Sequence, residues 1–550
     1  MRKKIASLLV LSGIVFSLSA CQFFNQSNEG GYSYRPIGSS NNGASDVSTP
    51  PASDLEAKAA SMTYGNYAKN NIYPISATPS KGKAKLLVIP VWFTDSANFI
   101  QEAKRSNVYE DIKTVYFGKN TDAGWRSVKT YYEEESHGAL KLEGTVSEWY
   151  ECNKSYQLYR RDDTHDNTAS LVNEATKWYF DTSNPSDKRT DYDCDKDGYL
   201  DGVMLIYAAP ALYGQDGGSS DSNLWAYCYW TQNSSAKNVV KPGVNAFFWA
   251  SYDFMYDKDH ARTRTGKNYA SGDNSNYVSV DAHTYIHEMG HMFGLEDYYD
   301  YSKYGYLPAG GFNMQDHNVG SHDPFSVFAL GWGKAYIPTT SANINLKPFT
   351  TSGEMIILSP NWNEYNSPFD EYLILEYYTA DGLNYFDANH AYMSGIKQYP
   401  TGSLDAGIRL WHVDARLLYT NNNSFSAAKV TTNPSISGQK VRGMFTNTYN
   451  DGQIDMDYLS RLASRDPAED RYSNYNLLEL IRNSTVAQTR TKDKMTSANL
   501  FKEGDSFVMS RFARQFVTSG ARLNSGNQLG FSFTVNALNS GYASITVTKS

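Results

Sequence analysis

A short polar motif in the middle of the chain constrains the fold more than any other feature. It runs His287-Glu288-x-x-His291-x-x-Gly294-x-x-Asp297. Residues four apart lie on one face of an α-helix, so the two histidines can direct their imidazoles toward one ion. Glycine readily adopts left-handed backbone conformations, so a helix can end at Gly294 and the chain can turn sharply there. The motif therefore predicts a helix, a turn and a metal site to which Asp297 returns.

The residue types in this motif suit zinc. Neutral imidazole is a good Zn²⁺ ligand, and a catalytic zinc takes three protein ligands with one position left open. We predict His287, His291 and Asp297 as these ligands. Glu288 is rotated by about 100° from His287, which places it beside the ion as general base for a zinc-activated water. The alternative is an amphipathic helix whose histidines only make hydrogen bonds.

Two neighbours of the motif leave alternatives open. Glu296 is a competing third ligand, although the spacing favours Asp297. His283 lies one turn upstream on the same helix face. Three ligands one turn apart on a straight helix cannot all converge on one ion, so we interpret His283 as a residue behind the ligands or at the surface.

A loop before a buried strand carries four acidic residues with the spacing of a calcium loop. They are Asp193, Asp195, Asp197 and Asp201. With Gly198 they reproduce the start of an EF-hand, whose hard oxygen ligands suit Ca²⁺. The glutamate that closes an EF-hand is absent, since Met204 occupies its position. We predict a structural calcium site rather than a full EF-hand, and the alternative is a solvated acidic turn.

Length and composition predict a water-soluble chain with several domains. At 550 residues it is too long for one ordinary core. The net charge of -8 is spread along the chain and marks no nucleic-acid surface. We predict a signal peptide over residues 1–20, a flexible Ser/Asn/Gly-rich tether over 21–80 that could include a short propeptide, a zinc-site domain over 81–342 and a β-rich domain over 343–550.

The first residues are typical of a bacterial export signal. Three basic residues precede an apolar run that is too short to span a membrane as a mature helix. The run ends in Leu-Ser-Ala-Cys, which resembles a lipobox. We predict that Cys21 carries a lipid that holds the protein on the outer face of the cell membrane, and the alternative is ordinary secretory cleavage near Ala20. Three further cysteines allow at most one disulfide: Cys152, Cys194 and Cys228.

The helix and strand patterns predict an α/β region followed by a β-rich region. LLVIPVW and VMLIY are continuous apolar runs typical of buried strands. SVKTYYEEESHG predicts a helix that ends near Gly138, and DPFSVFALGW predicts another. Five strand-like runs then alternate with polar loops: MIILSP, YLILEYY, GIRLWHV, GFSFTV and ASITVTK. They indicate an all-β, sandwich-like C-terminal domain.

The zinc motif and the wider chain resemble the immune inhibitor A family of bacterial secreted metallopeptidases. The motif matches the extended zinc signature of metzincin-like proteases in its aspartate variant. The family pattern also includes segments like LLVIPVWFTD, DCDKDGYLDGVMLIYAA, the pair Leu224-Trp225, GGFNMQDH and a proline-led helix that ends in LGW. With DEYLILEYY and AGIRLWHVD, the resemblance covers roughly residues 83–415. Most metzincins have a third histidine where this chain has Asp297.

The resemblance implies a metzincin-like catalytic fold, one zinc ion and further site residues. Met314 in GFNMQDH resembles the methionine that lies beneath the zinc in metzincins, which implies a packing role. A donor that stabilises the oxyanion is also expected. Four residues are candidates by their proximity in sequence: Tyr298, Tyr299, His317 and His322.

Together these features predict a zinc endopeptidase that hydrolyses extracellular proteins with Glu288 as general base. We expect protein or peptide substrates, a monomer, no nucleic acid and no membrane contact beyond the lipid. Two alternatives stay open: a non-catalytic surface-binding lipoprotein on a protease scaffold, and an aminopeptidase that trims peptides. The intact Glu288 argues against the first, because a binding protein needs no base beside its zinc.

Overall fold

The protein is described by a computed structural model. It describes residues 50–61, 63, 77–120, 125–160, 162, 165–211, 224–231, 236–256, 263–267, 280–300, 306–390, 393–394, 397–398, 401–420, 429–434, 440–448, 475–489, 491–518 and 520–550. Cys21 and the predicted signal peptide lie outside these residues. Within them, no helix combines the length and the hydropathy needed to cross a bilayer.

A six-stranded sheet forms the centre of the N-terminal region. Its strands are β1 (Gly82–Trp92), β2 (Leu140–Val146), β3 (Tyr150–Glu151), β4 (Val203–Tyr207), β5 (Tyr227–Trp230) and β6 (Ala246–Ser251). The order is β2-β1-β4-β6-β5, and β3 also pairs with β1. All pairs are parallel except β5 with β6. The predicted strands in LLVIPVW and VMLIY are confirmed, and their continuous apolar character follows from burial on both faces of a parallel sheet.

Seven α-helices accompany this sheet among the described residues. They are α1 (Arg105–Phe117), α2 (Val128–Glu135), α3 (Gln157–Arg160), α4 (Asp166–Trp178), α5 (His283–Met292), α6 (Met314–His317) and α7 (Pro324–Ala329). Ser127 caps α2 through a capping box, and Asp323 caps α7, which begins with Pro324. These cap residues satisfy backbone N–H groups that a helix start leaves without partners.

Two further sheets lie beyond the N-terminal region. Their strands are β7 (Lys334–Tyr336), β8 (Ala342–Leu346), β9 (Glu354–Leu358), β10 (Glu371–Tyr378), β13 (Gly407–Asp414), β17 (Leu478–Ile481), β18 (Ser506–Val508), β19 (Phe531–Leu538) and β20 (Ala543–Lys549). The five-stranded sheet has the order β17-β13-β10-β9-β7, and the four-stranded sheet has the order β18-β19-β20-β8. All five strands predicted from the C-terminal runs are present.

Smaller elements complete the C-terminal region. They are α8 (Phe349–Ser352), α9 (Tyr385–Asn389), the pair β11 (Met393–Ser394) and β12 (Lys397–Gln398), and the three-stranded sheet of β14 (Leu417–Thr420), β15 (Lys429–Thr431) and β16 (Lys440–Gly443).

The five-stranded sheet is buried on both of its faces. Ile374 and Trp411 belong to the same hydrophobic cluster as the N-terminal sheet. Leu373 and Leu375, which point the other way because side chains alternate along a strand, pack with the four-stranded sheet. An all-β sandwich is therefore not confirmed, because the C-terminal region contains α8 and α9 and shares one core with the zinc-site region.

Part of the predicted tether is held against folded strands. The amide of Lys58 donates to the carbonyl of Ala335, and the amide of Ala335 donates back to Lys58. Asp54 exchanges similar bonds with Asn343. This part of the tether is ordered because its backbone groups pair with sheet edges and because Leu55 and Ala57 pack against the neighbouring hydrophobic cluster.

Candidate metal centre

Helix α5 carries His287 and His291, two of the three predicted metal ligands, and is fixed at both ends. At its start, Asp281 Oδ1 accepts a 2.9 Å hydrogen bond from the amide of His283. At its end, the amides of Ala77 and Thr78 donate to the carbonyl of Met292. Gly294 then adopts a φ of +96°, the left-handed conformation that the sequence predicts for the turn.

The turn brings Asp297 back to the two histidines. Asp297 Oδ1 lies 2.9 Å from His287 Nε2 and 3.5 Å from His291 Nε2. Ligand atoms of His287, Glu288 and His291 all lie within 4.8 Å of one another. All four residues are buried, with exposed fractions from 1% to 6%. The structure thus gathers the predicted ligands and the predicted base at one place.

Two backbone carbonyls set the tautomer of the ligand imidazoles. His287 Nδ1 lies 2.7 Å from the carbonyl oxygen of Met314, and His291 Nδ1 lies 2.8 Å from that of Leu295. A carbonyl oxygen can only accept, so both Nδ1 atoms carry the proton. In a neutral imidazole the Nε2 atom then presents its lone pair, which is the arrangement that a metal-binding histidine needs.

The remaining polar atoms also fit a divalent cation. Glu288 Oε2 is buried and has no hydrogen-bond partner among the described residues, and it lies 4.0 Å from His291 Nε2. A buried carboxylate oxygen without a donor is unfavourable unless a cation or a water molecule completes its surroundings. Two imidazole nitrogens and one carboxylate oxygen are a donor set typical of zinc.

Burial and the neighbouring charges shift the acid–base properties of the centre. Burial raises the pKa of the Glu288 carboxyl, and the two imidazoles only partly offset this rise. Burial would also raise the pKa of Asp297, but His291 and His287 lower it below its usual range. Burial lowers the pKa of His291, whereas Asp297 raises it more strongly, to about 9. A metal ion would replace the proton that His291 holds next to Asp297.

Met314 contacts a predicted ligand through its backbone. It is fully buried, and its carbonyl accepts from His287. The next residue, Gln315, approaches α5 so closely that a Cβ atom on Gly290 would lie 2.2 Å from Gln315 Oε1. Gly290, which lies between the two histidines, therefore leaves room for Gln315 and for the methionine turn, the segment Met314–His317.

The structure separates the four oxyanion candidates into two pairs. Tyr298 is buried and its hydroxyl bonds to Ser326 Oγ at 2.8 Å. His322 is buried and its Nδ1 lies 3.0 Å from the hydroxyl of Tyr131. Tyr299 and His317 are half-buried, and their rings meet edge to face, with centroids 6.2 Å apart and planes inclined by 72°. Only the second pair combines proximity to the methionine turn with access to solvent.

His283 is not a surface residue. Its side chain is 1% exposed and lies between two carboxylates, with Nδ1 2.7 Å from Asp281 Oδ1 and Nε2 3.1 Å from Asp387 Oδ1. Burial lowers the pKa of this imidazole, but Asp387 and Asp281 outweigh the effect and raise it to about 10. His283 is thus an imidazolium behind the metal ligands at neutral pH.

Several residues that support the centre were missed in the sequence. Asp387 contacts His283 across 104 positions of the chain. The hydroxyl of Tyr132 donates to the backbone carbonyl of Ile286 at 2.6 Å. The thiol of Cys228 donates to the backbone carbonyl of Glu288 at 3.1 Å. Each contact joins segments that are distant in sequence, so no local spacing could have indicated it.

The acidic loop gathers three of its four predicted ligands. Carboxylate oxygens of Asp193, Asp195 and Asp197 lie within 4.8 Å of one another. Asp193 is 4% exposed, and its Oδ1 has no hydrogen-bond partner among the described residues. Asp201 does not join them, because its two oxygens accept from the amides of Lys85 and Cys194 at 2.8 and 2.9 Å. The structure therefore assigns Asp201 to fixing the loop on β1.

Comparison with known proteins shows what the N-terminal region is similar to. Residues 75–310 match the family described as immune inhibitor A peptidase M6, catalytic domain. Immune inhibitor A from Bacillus thuringiensis subsp. alesti is 24% identical over 269 residues, which cover 41% of this chain and 36% of that relative. The chain thus aligns with little more than a third of the relative's length. The resemblance predicted from the sequence is confirmed: residues 75–310 are similar to the catalytic domain of the immune inhibitor A family of M6 metallopeptidases.

Proposed function

We propose that the chain is a zinc-dependent endopeptidase that hydrolyses extracellular proteins. One observation carries the proposal: the Nε2 atoms of His287 and His291 face Asp297 Oδ1, beside the buried carboxylate of Glu288. This arrangement combines a zinc ligand set with an adjacent base. The similarity of residues 75–310 to an M6 peptidase catalytic domain supports the same chemistry.

Each residue of the centre has a role in this proposal. His287, His291 and Asp297 would hold the zinc ion, which when bound polarises the scissile carbonyl and lowers the pKa of a water molecule. Glu288 accepts a proton from the attacking water and later gives it to the leaving amine. Its raised pKa suits both steps, because a carboxyl group that titrates closer to neutral pH is a better base and remains able to return the proton.

The oxyanion donor is proposed to come from the half-buried pair. Tyr299 lies two residues after the third ligand, and His317 lies three residues after Met314. His317 Nδ1 contacts Asp316 Oδ1, which orients the ring. A phenol or an imidazole in this position can donate a hydrogen bond to the charge that develops on the carbonyl oxygen.

Removal of the metal should abolish proteolysis, because the proposed mechanism depends on zinc both to polarise the carbonyl and to activate the water. We expect purified protein to cleave casein and internal bonds of peptides blocked at the N-terminus. A zinc chelator should remove both activities, and about one equivalent of zinc per chain should restore them. A serine-protease inhibitor serves as the control and should change neither rate.

The blocked peptides separate the alternatives. An aminopeptidase would cleave only the unblocked form of the same peptide, and a non-catalytic binding protein would cleave neither form. Activity that persists after the zinc content has fallen to background would contradict the proposed chemistry.

The outer face of the cell membrane is the proposed location, with Cys21 as the lipid-carrying residue. The similarity to immune inhibitor A supports an extracellular role, and the lipobox-like residues before Cys21 support the anchor. Cells grown with radioactive palmitate should yield a labelled protein that remains with the membrane fraction. The Cys21→Ala variant should lose the label, and an equally labelled variant would exclude this anchor.

Calcium at Asp193, Asp195 and Asp197 is proposed as a structural role of the acidic loop. If calcium binds only the folded state, a concentration of 100 times Kd stabilises the protein by about 2.7 kcal/mol. Calcium should therefore raise Tm by a few degrees in the wild type and much less in Asp193→Asn. The exposed neighbour Asp191→Asn is the matched control. Equal shifts in both variants would favour a solvated acidic turn.

A further inference from the structure

One carboxylate of the C-terminal region reaches two elements that form the metal centre. Asp387 lies in α9 and is fully buried. Its Oδ1 and Oδ2 lie 3.1 and 3.3 Å from His283 Nε2, and Oδ2 also accepts a 2.7 Å hydrogen bond from the amide of Gly320. Both contacts involve Asp387, which lies outside residues 75–310.

The contact between Asp387 and His283 fixes the beginning of α5. His283 occupies the first turn of α5, one turn before His287. Its ring stacks on Trp125 with centroids 4.2 Å apart and planes inclined by 13°, and Asp281 holds its other nitrogen. Rotation of the first turn would break all of these contacts, so Asp387 and Asp281 together set the direction in which the helix presents its ligands.

The second contact fixes the segment beneath the helix. Gly320 follows α6, and the carbonyl of Met314, the first residue of α6, accepts a hydrogen bond from His287 Nδ1. Asn384, in the same C-terminal segment, accepts from the amide of Ser321 at 3.0 Å. The loop after the methionine turn is thus held by α9 and the residue before it.

We propose that Asp387 is a positioning residue for the metal centre, which aligns the first turn of α5 with the methionine turn so that His287 meets both the ion and the Met314 carbonyl. This inference rests on the proposed zinc site. If so, the C-terminal region is part of the catalytic unit, because it supplies Asp387, the side chain that completes the support of His287.

Asp387→Asn isolates this role. Asparagine keeps the size of the side chain and an acceptor for Gly320, but it cannot pair with the imidazolium of His283. We expect about tenfold weaker zinc binding in competition with a chelator, in the range seen for groups that orient metal ligands. The visible absorption of the cobalt-substituted protein should shift as well. Asp405→Asn is the matched control, because that side chain is 63% exposed and should change neither readout.

The outcomes separate this inference from the proposed function. A wild-type protein that binds no zinc would refute the zinc site itself. Equal zinc affinity and an equal cobalt spectrum in wild type and Asp387→Asn would overturn only the role of Asp387, even if Tm fell. Should the variant not fold, amide hydrogen exchange of the wild type, measured with and without zinc, decides. Zinc should slow exchange at residues 318–321 and 384–388, because coupling between the zinc site and these segments is reciprocal. Unchanged exchange there would overturn the proposal.

Discussion

Replacement of Glu288 by glutamine is expected to lower kcat by about 10²- to 10⁴-fold, which is the range contributed by a positioned acid–base group. Glutamine has nearly the same shape but cannot accept a proton from water. Glu288 is rotated away from the ligand face and the imidazoles keep their own partners, so the zinc content should stay near one per chain. KM should change little, because substrate binding does not depend on the proton transfer.

The measurement requires kcat, KM and metal content from the same preparations. Glu110→Gln is a matched control, since this glutamate is exposed and its carboxylate pairs with Lys113 on the surface of α1. Control activity should equal that of the wild type. An unchanged kcat in Glu288→Gln, with zinc present, would remove Glu288 from the mechanism and leave the metal site intact.

Replacement of Asp297 by asparagine should weaken zinc binding by at least about 100-fold, a larger effect than the loss of a group that only orients a ligand. Asp297 Oδ1 is the oxygen that faces both Nε2 atoms, at 2.9 and 3.5 Å. A neutral amide oxygen gives a dication far less electrostatic stabilisation in a buried site. Activity measured without added zinc should fall to background, and excess zinc should restore part of it.

Glu296→Gln is the comparison that tests the alternative ligand. Glu296 is also buried, at 5% exposed, so the two variants are similar in burial and in chemical change. We expect Glu296→Gln to keep its zinc, because the turn directs the neighbouring carboxylate at the imidazoles. Loss of zinc in Glu296→Gln together with retention in Asp297→Asn would exchange the roles of the two residues.

The order of the sheet and the extent of the core could not be predicted from the sequence. The strand runs around Ile89 and Leu205 are apolar and β-rich, so local composition predicted them. Strands β5 and β6 were missed, and so was the pairing of β7 with β9, which crosses the predicted boundary at residue 342. Pairing partners depend on packing between distant segments, which leaves no periodic signal in either segment alone.

The acidic loop shows the same limit on a smaller scale. Spacing placed Asp201 in the ninth position of a calcium loop, yet its carboxylate accepts from the amides of Lys85 and Cys194. Lys85 lies on a strand more than a hundred residues earlier. The spacing of oxygens predicts which residues can share an ion, whereas competing backbone donors decide which of them remain available.

The sequence by itself determined the helix, the turn at Gly294 and the three candidate ligands, because 3.6 residues per turn and the freedom of glycine act over a dozen neighbouring residues. Only the tertiary structure decided the tautomers of His287 and His291, the burial of His283 and the part played by Asp387. Those properties depend on which carbonyl or carboxylate a distant segment places within about 3 Å of a ring nitrogen, and chain folding alone sets that distance.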